Sequence, residues 1–247
     1  MKLFAIGDLH LSFDETVNKP MDIFGNAWQD YTDRLKENWL SVVSPEDTVI
    51  IPGDLSWGLK LEEALADLAW VDALPGHKVI VRGNHDLWWS SMAKMRKLYQ
   101  SVSFIQNDAY DGGAFVIMGS RGWLCPGDSG FSENDDRKIY EREILRLEMS
   151  AAAAAQLMEK SRAEGRTPVL FGAMHYPPTN EKKQPSGFTD IFAKAGCRTV
   201  VYGHLHGEHA FYNGPYGLTD GTEYKLCSLD RLDCMPALIY DTDAAYE

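Results

Sequence analysis

The chain reads as an α/β protein on three observations. Short β-branched runs, among them Thr48-Val49-Ile50-Ile51, Val79-Ile80-Val81 and Thr199-Val200-Val201-Tyr202, have the length and composition of buried strands. Segments of helical period lie between them. The runs stop abruptly at glycine or polar residues, as strands do when they deliver side chains to a rim. With 247 residues, 45% of them hydrophobic, the chain can bury a sizeable core. No linker composition or internal repeat divides it, so a single domain over 1–247 is expected.

The elements follow in order. Lys2 to Ile6 reads as a strand ending at Gly7-Asp8-Leu9-His10, where a spacing of two puts Asp8 and His10 on one face of an extended backbone. Trp28, Tyr31, Leu35, Trp39 and Val43 recur at helical spacing and predict a helix over 26–43. The strand 48–51 stops at Pro52-Gly53-Asp54, and Leu61, Leu65, Leu68 and Val71 predict a helix over 60–73. Lys78 to Arg82 reads as the next strand, ending at Gly83-Asn84-His85-Asp86, with a helix expected over 90–99. Residues 102–106 and 113–118 suggest two strands joined by a turn at Asp108–Gly113.

Residues 120–136 are irregular, broken by Gly122, Pro126, Gly127 and Gly130, and suggest a lip over a site, with Trp123 and Phe131 as substrate contacts. Asn134 or Asp135 is placed to cap the following helix, and Gly165 to stop it. Its stripe of Tyr140, Ile144, Leu147, Ala151, Ala154 and Met158 is suited to packing on a sheet. Val169-Leu170-Phe171 leads to Gly172-Ala173-Met174-His175, then a Pro-containing loop and a short helix near 188–195. The strand 199–202 halts at Gly203-His204-Leu205-His206, and the tail holds several short strands, including Leu238-Ile239-Tyr240.

A net charge of −12 disfavours nucleic acid and anionic membranes as partners. The N-terminus meets charge too soon for a signal peptide, and no apolar run reaches spanning length. Cys125, Cys197, Cys227 and Cys234 are dispersed, without a Cys-x-x-Cys pair, and read as reduced thiols of a cytoplasmic protein.

Five strand ends carry metal-capable side chains: Asp8/His10, Asp54, Asn84/His85, His175 and His204/His206. In open α/β sheets, ligands collect beyond the carboxyl ends of strands. Any one of these sites could be ordinary turn chemistry, but five following five apolar runs point to one centre. Imidazole, carboxylate and one amide, without thiolate, suit Mn, Fe or Zn at a reactive site. Seven candidate ligands exceed the needs of one ion and fit two ions sharing a bridging carboxylate.

The order Asp-x-His, Gly-Asp, Gly-Asn-His-Asp, His, Gly-His-x-His over residues 8–206 resembles the calcineurin-like metallophosphoesterase superfamily. The resemblance implies a four-layer α/β/β/α sandwich with two mixed β-sheets. It also implies Asp8, His10 and His206 on one metal, Asn84, His175 and His204 on the other, and Asp54 bridging. His85 would be the catalytic histidine, oriented by Asp86. Gly7-Asp8-Leu9-His10-Leu11 and Gly53-Asp54-Leu55-Ser56-Trp57-Gly58 depart from the protein Ser/Thr phosphatase pattern, and His85 departs from the arginine of the lipid A pathway pyrophosphatases.

The expected activity is hydrolysis of a small phosphate ester, mono- or diester, cyclic nucleotides included. Metal-activated hydroxide attacks and His85 acts as general acid. Trp57, Trp88 and Trp89 are read mainly as core, with nucleobase stacking as their other possible role; Arg121, Lys182 and Lys183 are candidate phosphate contacts. A nuclease would need a basic track that the acidic balance opposes, and a non-catalytic scaffold would not need every motif position filled.

Overall fold

The computed structural model describes residues 1–244. They fall into two compact units, one built from residues 1–104 and the segment from Cys227 onward, the other from Ile105–Leu226.

The first unit opens with β1 (Lys2–Ala5), followed by α1 (Tyr31–Val42), β2 (Thr48–Ile51), α2 (Leu61–Ala73), β3 (His77–Val81), the single-turn α3 (Met92–Met95) and β4 (Val102–Ile105). Its sheet has the order β11-β1-β2-β3-β4, where β11 is Ala237–Asp241 at the end of the chain. β1, β2 and β3 run parallel and β11 runs antiparallel to β1, so the sheet is mixed. The parallel strands end on one side, and their following loops share it. Leu35 and Trp39 of α1 and Leu61, Ala64, Leu68 and Val71 of α2 join Phe4, Val49, Ile51 and Ile80 in one apolar core.

The second unit contains β5 (Ala109–Asp111), β6 (Phe115–Ser120), α4 (Arg137–Ala163), β7 (Val169–Met174), α5 (Gly187–Ala195), β8 (Thr199–Tyr202), β9 (Gly217–Thr219) and β10 (Thr222–Leu226). The sheet order is β5-β6-β7-β8-β10-β9. β6, β7, β8 and β10 are parallel, while β5 and β9 are antiparallel edges. Tyr140, Leu147 and Ala154 of α4 and Phe188 and Phe192 of α5 fill its core. Ser186 caps α5 by accepting from the Phe188 and Thr189 N–H groups. Two mixed sheets with their helices form the expected α/β fold.

Four local expectations change. The predicted helix over 26–43 is split: Asn26–Trp28 makes one 3-10 turn, and Asp30 takes a left-handed φ of 48° before α1 begins. The helix expected over 90–99 shrinks to Met92–Met95, where Ser91 accepts only the first turn's N–H groups through its carbonyl. Residues 102–106 and 113–118 do not pair as a hairpin, because β4 closes the first sheet while the supposed turn supplies β5, the partner of β6. Finally, α4 is preceded by Asp136 at the cap position, not Asn134 or Asp135. The Asp136 carboxylate accepts instead from the Ser132 N–H and the Trp123 indole, both at 2.8 Å. Gly165, at φ 77°, ends the helical run as expected.

Candidate functional site

The first unit gathers six of the predicted residues on the loops after β1, β2 and β3. The loop after β1 is not the extended segment that the Asp8/His10 spacing suggested: Asp8 and His10 have φ 57° and 45°. Main-chain bonds explain this. Asp8 N–H donates to Gly53 O, His10 N–H to Asp54 O and Leu11 N–H to Leu55 O, each at 2.9 Å, so the two loops continue the β1–β2 pairing with a kink. Asp54 shares the left-handed region at φ 50°. Such conformations cost an ordinary residue about 1–3 kcal/mol each and persist where surrounding structure over-determines them.

The kinks aim the side chains inward. Asp8 offers a carboxylate oxygen within 4.8 Å of a His10 ring nitrogen and of an Asp54 oxygen. His10 Nε2 lies 3.9 Å from Asp54 Oδ2. Asp8, His10 and Asp54 are all buried. Asp54 Oδ1 accepts from the His85 N–H at 2.7 Å, which turns Oδ2 toward His10. Gly83 leaves no room for a side chain: a Cβ there would overlap the Asp54 backbone nitrogen and carboxylate.

Around these candidate ligands the support is aromatic and polar. The Tyr31 hydroxyl of α1 donates to His10 O at 2.9 Å. Trp57 stacks on His10 with centroids 4.8 Å apart and lies 4.4 Å from His85. Beneath the loop, Ser56 Oγ donates to Asp67 Oδ2 and the Phe13 N–H donates to Asp67 Oδ1. Burial pushes the Asp67 carboxyl above its usual range. Asn84 is half-buried and His85 is exposed. Asp86 is fully buried, and its carboxylate accepts from main-chain and indole donors.

The second unit brings His175 and His204 together at the ends of β7 and β8. His175 O accepts from Gly203 N–H at 3.1 Å, and the His175 and Tyr176 N–H groups both donate to Arg121 O. His204 takes a left-handed φ of 73°. Its Nδ1 lies 3.2 Å from His175 Nε2, the rings nearly perpendicular at 78°. Two nitrogens on one ion at bond lengths near 2.1 Å sit about 3.0–3.4 Å apart, so this pair has the spacing of co-ligands. His206, half-exposed, follows on the same loop.

The donor chemistry therefore fits metal ions. Buried carboxylates as close as Asp8 and Asp54 repel when both are ionised, unless positive charge compensates them. A family model, calcineurin-like phosphoesterase, matches residues 1–208. The chain belongs to that family. Among solved structures, this chain is similar to a protein of unknown function from Aquifex aeolicus, at 17% identity and TM-score 0.49, covering 96% of this chain and 95% of that one. It is also similar to a phosphopantetheinyl hydrolase from Mycobacterium tuberculosis, at 15% identity and TM-score 0.49, covering 98% and 97%. No curated protein gives a significant match.

The remaining candidates lie in varied surroundings. Trp88 is buried, and Trp89 packs on it and on Phe104. Arg121 lies 3.2 Å from the buried Glu143 carboxylate and against the Trp123 ring. Lys182 and Lys183 are exposed on the loop before α5. In the irregular segment, Trp123 packs on Tyr176 at 5.1 Å, and Tyr176 in turn lies 4.2 Å from His204. Phe131 packs on Tyr140. Tyr31 and Asp67 carried no sequence signal of their support for the site, because helical aromatic and acidic positions look alike wherever they point. Among the described residues no helix is long and apolar enough to cross a membrane.

Proposed function

We propose that this chain is a metal-dependent phosphoesterase that hydrolyses a small phosphate ester, monoester or diester, at a two-metal centre. The observation that carries the reading is the buried Asp8–Asp54 carboxylate pair beside His10, a donor set that calls for a cation. In this reading Asp8, His10 and His206 hold one ion, Asn84, His175 and His204 hold the other, and Asp54 bridges them. Mn, Fe or Zn, when bound there, would activate water and neutralise phosphoryl oxygens.

The chain's own groups do the rest. His85, exposed beside Trp57, gives its imidazolium proton to the departing ester oxygen. The His85 main chain is held by Asp54, so the ring swings from a fixed base. No serine or cysteine nucleophile takes part, and no covalent phosphoenzyme forms. As a single phosphoesterase domain over 1–247, the chain acts on a small phosphorylated substrate in the cytoplasm, where four buried thiols stay reduced. The charge of −12 speaks against a nuclease.

The test is a hydrolysis screen of p-nitrophenyl phosphate, its bis-ester, cyclic AMP and a dinucleoside polyphosphate. Turnover of at least one class, lost to chelator and restored by Mn²⁺, is expected. Metal-loaded protein inert on all four would favour the non-catalytic scaffold.

A further inference from the structure

We propose that Asp86 is the positioning residue of the bridging carboxylate, holding Asp54 in its strained turn through main-chain hydrogen bonds. The inference rests on reading Asp54 as the bridging ligand.

The geometry is reciprocal. Asp86 Oδ2 accepts from the Asp54 N–H at 2.9 Å and the Gly83 N–H at 2.7 Å. Oδ1 accepts from the Leu55 N–H at 2.9 Å, the Ser56 N–H at 3.3 Å and the Trp88 indole at 2.9 Å. Conversely, Asp54 Oδ1 accepts from the main chain of His85, in the turn that carries Asp86. Each aspartate thus binds the backbone of the other's loop.

The charge on Asp86 explains the turn. Three successive N–H groups, those of residues 54, 55 and 56, converge on one carboxylate, an arrangement that a left-handed residue makes possible and an anion stabilises. Asp54 sits at φ 50°, where a non-glycine residue needs such compensation. A carboxylate with no solvent exposure needs donors on both oxygens, and here it has them. Supporting partners of this kind set the orientation of a metal ligand and therefore its affinity.

Asp86→Asn keeps the shape but replaces one oxygen by an N–H₂ donor. Orienting the amide to sacrifice the fewer bonds places that donor against the Asp54 and Gly83 N–H groups, so the bridging residue is displaced. Titration of the apoprotein with Mn²⁺ should then show affinity weakened roughly 10–100-fold, the usual range for such partners. The electron paramagnetic resonance spectrum should change from that of an exchange-coupled pair to isolated Mn²⁺. Hydrolysis of aryl phosphates at fixed Mn²⁺ should fall equally for good and poor leaving groups.

Unchanged Mn²⁺ affinity and coupling, with loss confined to poor leaving groups, would overturn the proposal and make Asp86 a partner of the His85 ring. Wild-type protein that binds no Mn²⁺ would overturn the metal-centre reading itself, and this inference with it. Should Asp86→Asn fail to unfold cooperatively, Trp88→Phe removes one Oδ1 donor and keeps an apolar ring. Severalfold weaker Mn²⁺ binding is then expected, and unchanged binding overturns the proposal.

Discussion

The His85 N–H donates to Asp54 Oδ1 at 2.7 Å, so the backbone of the proposed general acid holds the carboxylate proposed as the bridge. Removing the ring leaves that bond in place. His85→Ala should therefore retain metal content and lose proton donation alone. A general acid matters most when the departing oxygen is a poor leaving group, so alkyl and ribose esters should lose about 10²–10⁴-fold. Activated aryl esters should lose much less. Measuring kcat/KM across phenols of rising pKa, with metal analysis of each sample, checks this. A parallel drop across the series would remove His85 from the general-acid role.

Asp54→Ala removes the carboxylate that faces both His10 and the His85 main chain. Metal analysis should show both ions depleted and activity abolished, while circular dichroism reports an intact fold. Two retained ions with near-normal turnover would exclude Asp54 as the bridge.

Gly83→Ala tests the close approach of two loops. The added methyl overlaps the Asp54 backbone and carboxylate, neither of which can rotate away. Overpacking of this kind costs about 1–3 kcal/mol, measurable by urea denaturation. Metal affinity should fall with it, since the displaced group is the proposed bridging ligand.

Asp67→Asn tests the buried carboxyl beneath the loop after β2. Burial raises its folded-state pKa above 3.8, so the folded protein holds this proton to higher pH than the unfolded chain. Its contribution to stability is full below that value and is lost as pH rises through the folded-state pKa. The amide can accept from the Phe13 N–H and donate to Ser56 Oγ without ionising. At neutral pH the variant should equal or exceed wild type in stability, and its advantage should vanish in acid. Urea midpoints from pH 3 to 7 measure the difference.

The amino-acid order by itself determined the alternation of strands and helices and the position of each motif at a strand end. That information is local: β-branched runs, helical periodicity and glycine stops act over a few residues, and β1, β2, β3, β7 and β8 follow them closely. The motif residues were legible for the same reason, since Asp8/His10, Gly83–Asp86 and His204/His206 are near neighbours in the chain. Tertiary structure alone decided their conformations. The left-handed turns at Asp8, His10 and Asp54 arise because the main chain after β1 bonds to the main chain after β2, a pairing between segments more than forty residues apart. It also decided that Gly83 must be glycine because Asp54 lies against it, and that the Asp86 carboxylate serves the backbone of Asp54. Local sequence carries no record of such contacts, because each depends on a partner that only the packed sheet brings near.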